Sequence, residues 1–96
     1  MNLVWLRKAE ADLDEAIDYI APRNPAAALR FYETVREKTG LLPAQPGLGR
    51  PGRVHGTREL VVYPYIVAYT VQADIDAVVI LRVLHGARQW PGEFEV

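Results

Sequence analysis

At 96 residues, half of them hydrophobic, the chain has room for one modest core, and residues 1–96 read as a single domain. Eleven Lys and Arg against twelve Asp and Glu leave a net charge of -1, which excludes a protein that grips nucleic acid through its overall charge and leaves room only for local contacts. Without cysteine there is no disulfide framework or thiolate metal site, two histidines are too few for a histidine cage, and no stretch approaches the roughly 20 apolar residues of a membrane span. The expectation is a cytoplasmic protein that uses no metal or cofactor.

Residues 2 to 6 are apolar or aromatic apart from Asn2 and suit a first strand. From Ala9 the period changes. Ala9, Leu13, Ala16, Ile17 and Ile20 share one helical face, and Glu10, Asp12, Asp14, Glu15 and Asp18 fall largely on the other. Pro22 sets the end of this helix. Asn24 then offers a capping side chain and Pro25 a first helical position. The second helix carries Ala28, Phe31, Tyr32, Val35 and Leu42 as its buried stripe, with Arg30, Glu33, Arg36 and Glu37 outside. So short a connection predicts an antiparallel helical hairpin.

Pro43 to Gly56 is dense in proline and glycine and reads as loop throughout. Within it Arg50, Arg53 and His55, followed by Arg58, make a positive segment with no acidic residue before Glu59. Three strand-like runs follow, roughly 57 to 62, 65 to 71 and 77 to 84, separated by Tyr63-Pro64 and by residues 72 to 76. Both separators are short enough for hairpins, so the runs should form an antiparallel meander. The order β-α-α-β-β-β predicts an α+β domain, with the helical hairpin packed on one face of a curved, mainly antiparallel sheet.

That order, together with Ala11-Asp12-Leu13, Asp18-Tyr19-Ile20-Ala21, Gly49-Arg50-Pro51-Gly52-Arg53-Val54, Arg58-Glu59-Leu60-Val61-Val62, Tyr65-Ile66-Val67-Ala68-Tyr69 and residues 83 to 91, resembles the RelE/ParE superfamily of type II toxin–antitoxin toxins, and the ParE-like branch most of all. The resemblance implies a single toxin domain, held inactive in a hetero-oligomer with a ParD-like or RelB-like antitoxin and arresting growth when free. ParE-like members poison DNA gyrase. RelE-like members cleave messenger RNA on the ribosome.

Metal-free RNA cleavage needs a base for the 2′-hydroxyl, cations for the phosphate and an acid for the leaving oxygen. Where the nuclease relatives carry a strand arginine this chain has Ile66, and the preceding strand offers Thr57 and Glu59 instead of basic residues. Arg88 matches a basic residue that the nucleases place after the last strand, so a makeshift site would draw on Arg58, Glu59, Arg82, His85 and Arg88. Regular alternation along the last strand would put Arg82 and His85 on opposite faces, against that assembly. Binding without chemistry is therefore the first reading, with Arg50, Arg53, Arg58, His85, Arg88 and Trp90 as the surface for gyrase. Ribosome-dependent cleavage is the alternative, and a non-toxic remnant that still binds antitoxin is the third.

Structural readings stand beside these. Arg82 pairs with Asp12 or Asp18, His85 bonds a nearby carbonyl, Trp5 and Trp90 close the edge of the core, and Tyr65 and Tyr69 pack across strands. An apolar strip of Val61, Ile66 and Ala68 on the helix-free face is the expected antitoxin groove.

Overall fold

Period-2 alternation in the strands and period-3.6 spacing in the helices each select one face for burial. In the computed structural model, which describes residues 1–94, the two sets of faces meet in one layer. The elements are β1 (Asn2–Trp5), α1 (Arg7–Ile20), α2 (Pro25–Gly40), β2 (Arg50–Pro51), β3 (Arg58–Val62), β4 (Tyr65–Gln72) and β5 (Ala77–His85), with one 3-10 turn at Ala73–Ile75 between β4 and β5. The sheet runs β1-β5-β4-β3-β2. β1 lies parallel to β5, and every other neighbouring pair is antiparallel.

Ala9, Leu13 and Ala16 of α1 and Phe31 and Val35 of α2 pack on Leu60, Val62, Val67, Tyr69, Val78, Ile80 and Val83 to make the main core. Asn24 caps α2 by accepting from the Ala27 amide at 3.1 Å, with Pro25 as the first helical residue. Arg36 near the end of α2 reaches Glu10 near the start of α1 at 2.9 Å, a pairing that fits an antiparallel hairpin. The second face of the sheet carries a smaller apolar cluster of Ala77, Val79 and Leu81, packed against Leu6 and Phe94.

Four local expectations change. Tyr32 is exposed, and Leu42, though buried, lies past the end of α2; Thr39 completes the buried stripe because its hydroxyl donates back to the Val35 carbonyl at 2.7 Å. The loop holds a two-residue strand, β2, where Pro51 is tolerated because the strand forms the sheet edge. β5 is not regular: its pairing with β4 jumps from Arg82 opposite Ala68 to Ile80 opposite Tyr69, so Leu81 is an extra residue. That bulge lies before Arg82, and the pairing from Arg82 opposite Ala68 to His85 opposite Tyr65 is regular, so the two alternate as expected: His85 faces Tyr65 on the helix side, while Arg82 starts from the other face beside Leu81 and Phe94 and its long side chain reaches Asp12 of α1.

The fourth change concerns the expected strip. Val61 is 40% exposed, but Ile66 is 6% and Ala68 0% exposed. Ile66 lies beneath Gly86, where an added methyl would come within 3.3 Å of its Cδ1, and Ala68 is a short residue opposite Glu59 and the arginines that Glu59 holds.

The remainder of the loop is fastened by Tyr69. Its hydroxyl accepts from the Gly49 amide and donates to the Pro46 carbonyl, both at 2.8 Å. Gly49 is required for this approach, since a Cβ there would stand 2.7 Å from both the Tyr69 ring and the Glu59 carbonyl.

Candidate functional site

Arg50 and Glu59 are direct cross-strand partners on β2 and β3, which puts their side chains on one face. Glu59 Oε1 accepts from Arg50 Nη2 at 3.0 Å and Nε at 3.2 Å, while Oε2 accepts from the Arg53 amide at 2.9 Å and from Arg53 Nε at 3.2 Å. Burial alone would push this carboxyl upward, but the Arg53 amide and then the two guanidiniums outweigh it, so Glu59 ionises below the ordinary value near 4.5. The carboxylate is thus a buried post, and its two arginines remain accessible, with side chains 54% and 39% exposed.

Arg53 continues outward. Its guanidinium stacks 4.0 Å from the centre of the Trp90 ring, which in turn meets Phe94 edge-on at 6.1 Å. The stretch after β5 is thereby folded back toward the β2–β3 loop. The Trp90 indole N–H is buried without an acceptor among the described residues.

His85 ends β5 opposite Tyr65, the first residue of β4, and their rings meet edge-on at 5.4 Å. The Ala87 amide donates to His85 Nδ1 at 3.1 Å; an imidazole nitrogen that accepts carries no proton, so Nε2 is the donor in this geometry. This differs from the expected bond to a carbonyl. The His85–Tyr65 pair separates two cavities. On the helix side a cavity of about 210 Å³ is lined by Asp12, Glu15, Tyr19 and Arg88, and on the outer side a groove of about 310 Å³ is lined by Arg50, Val61, Tyr63, Ile66 and Ala87. Burial, and then the neighbouring Tyr19 and Glu15, raise the Tyr65 hydroxyl above its usual range, so at neutral pH it is a hydrogen-bond donor.

Of the residues singled out in the sequence, Arg50, Arg53, His85 and Trp90 gather at this end of the sheet. Arg88 is close by on the helix side. Arg58 turns away and donates to the Gly49 carbonyl at 2.7 Å, beside Thr70 and Val71. Arg82 reaches across to α1, where its Nε and Nη2 bind Asp12 at 2.6 and 3.0 Å and Asp12 also accepts from the Val83 amide. Those Asp12 bonds hold the Arg82 guanidinium above its ordinary value, against the opposing effect of burial. The five residues of the makeshift cleavage site do not converge, because Glu59, Arg58 and Arg82 each serve other partners. Sequence reasoning treated Tyr65 only as packing and passed over Tyr19 and Glu15. The signal for Tyr65 was its register opposite His85, which follows once the β4–β5 turn is placed.

Residues 3–90 match the family described as ParE toxin of type II toxin-antitoxin system, parDE. Y4kP of Sinorhizobium fredii, which is named as a toxin, is 39% identical over 89 residues, covering 91% of this chain and 90% of that protein. Toxin RelE2 of Caulobacter vibrioides is 34% identical over 87 residues, covering 91% and 97%. Among solved structures, a chain of the chromosomal ParDE toxin–antitoxin system of P. aeruginosa superposes with a TM-score of 0.75 at 33% identity, over 88% of this chain and 95% of that one. A chain of the RelBE2 toxin–antitoxin complex of Mycobacterium tuberculosis gives 0.58 at 29% identity, with the same coverage.

Proposed function

The chain belongs to the ParE toxin family of type II toxin–antitoxin systems, and from that premise we propose that it harms the cell by binding DNA gyrase, with no chemical step of its own. In this reading residues 1–96 form one toxin domain that works in the cytoplasm and is silenced in a hetero-oligomer with a ParD-like antitoxin. Relatives whose structures are toxin–antitoxin complexes support such a partner. Among the described residues no helix is long and apolar enough to cross a membrane.

One observation carries the preference for adhesion over cleavage: the charged groups that a phosphate-cleaving site would need are engaged with one another. Glu59 is clasped by Arg50 and Arg53, Arg82 by Asp12, Arg58 by a backbone carbonyl, and Ile66 is buried. What stays accessible is a surface of Arg50, Arg53, His85 and Arg88 beside Trp90, suited to contact and without a paired acid and base. A second reading has its own support. His85, Arg88 and Tyr65 line one cavity, which would supply a titratable ring, a cation and a hydroxyl for ribosome-dependent RNA cleavage.

Inducing the chain alone in a bacterial host separates the two. Gyrase–DNA cleavage complexes and a DNA-damage response are the expected result. Codon-phased cuts in messenger RNA, with gyrase unaffected, would replace the first reading with the second. Unimpaired growth would leave only an antitoxin-binding remnant.

A further inference from the structure

We propose that the outer groove beside the His85–Tyr65 pair is the seat of the antitoxin, and that it takes an apolar side chain carried on an acidic stretch of that partner; the proposal rests on the toxin–antitoxin reading above. The groove, about 310 Å³, has Val61, Ile66 and Ala87 as its apolar surface and Tyr63 and Pro64 at its mouth. Ile66 is buried, but Val61 is 40% and Tyr63 89% exposed, which leaves apolar surface facing water at the tip of the β3–β4 hairpin.

Charge selects the class of occupant. No carboxylate lines the groove, and Arg50 and His85 form its rim. Glu59 neutralises only one of the two arginines it holds, so that site keeps one positive charge. On the far side of the His85–Tyr65 pair the sign reverses, because α1 exposes Asp14, Glu15 and Asp18, none of them ion-paired among the described residues, against the single cation of Arg88. An acidic segment is thus attracted to the outer groove and repelled from the helix-side cavity. Such a segment would also cover Arg50 and His85, which belong to the surface proposed for the target, so that one contact would both anchor the antitoxin and silence the toxin.

The test is titration of the purified toxin with the antitoxin encoded beside it, comparing wild type with Val61→Glu, Val61→Lys, Tyr63→Ala and, as a remote exposed control on α2, Leu29→Lys. All three positions are exposed, so the four variants are expected to fold, which circular dichroism checks. Val61→Glu should weaken binding at least tenfold, Tyr63→Ala severalfold, and Val61→Lys less than Val61→Glu, because an added cation suits an acidic partner. Wild-type affinity should fall as salt rises.

Tight binding by wild type, Val61→Glu and Tyr63→Ala alike overturns the groove while leaving the toxin–antitoxin reading intact. A larger loss for Val61→Lys than for Val61→Glu overturns the acidic partner. Failure of wild type itself to bind the antitoxin overturns the underlying reading as well. If Val61→Glu abolishes growth arrest and leaves antitoxin affinity unchanged, the groove belongs to the target and the proposal is again overturned.

Discussion

Asp12 and Glu59 are both buried carboxylates, each held by arginine and by one backbone N–H, and yet they do different work. Asp12 faces a single guanidinium that is itself only 14% exposed, and it ties α1 to the bulge in β5. Glu59 faces two guanidiniums that stay open to solvent, and it ties the β2–β3 loop to the sheet. The same chemistry therefore consumes its cation in one place and displays its cations in the other. Burial of the basic partner, and not the presence of an ion pair, distinguishes a structural arginine from one available to another molecule.

The largest effect should come from the closed pair. Asp12→Ala leaves a mostly buried guanidinium unpaired and strips the Val83 amide of its acceptor, which should lower unfolding free energy by about 3–5 kcal/mol. Urea denaturation measures this directly. A loss below about 1 kcal/mol would mean that water reaches Arg82, and the contrast between the two sites would disappear.

Glu59→Gln comes next, because its arginines can turn to solvent when the charge is removed; a loss of about 1.5–3 kcal/mol is expected. The pH dependence gives a second check. Glu59 has a folded-state pKa below the ordinary value near 4.5, so its contribution is fully present above that value and is lost as pH falls through the lower, folded-state pKa. The gap between wild type and Glu59→Gln should therefore be widest at neutral pH and close in acid. A gap that stays constant into acid would show that the charge contributes nothing beyond shape.

The two sites were unequally legible in the sequence. The Arg82–Asp12 pair was within reach, because an arginine flanked by Leu81 and Val83 needs a carboxylate and the helix packed on that strand offers Asp12. The helices, the meander and the helix cap were readable for the same reason: period and capping chemistry act within a few residues. The Glu59 site was half visible. Arg50, Arg53 and Arg58 stood out as an excess of charge, but which of them Glu59 holds depends on β2, a two-residue strand with no periodicity, and on a loop shaped by the Tyr69 hydroxyl. The burial of Ile66 and Ala68 was hidden in the same way, since Gly86 lies over Ile66 and the Glu59 cluster lies beside Ala68 without any repeating pattern to announce it.

The smallest predicted effect lies where the display site meets that last stretch. Arg53 is shared between Glu59 and the Trp90 ring, so the stack can be isolated by a double-mutant cycle of Arg53→Ala and Trp90→Ala. A coupling of about 0.5–1 kcal/mol is expected for a cation over an aromatic ring near the surface. Coupling near zero in the unfolding data would show that the stretch is anchored by Phe94 on Leu81 instead, and that Arg53 is free to leave Trp90 when a partner arrives. Coupling well above that range would mean the stack is dry, moving Arg53 from the displayed class toward the closed class that Arg82 represents.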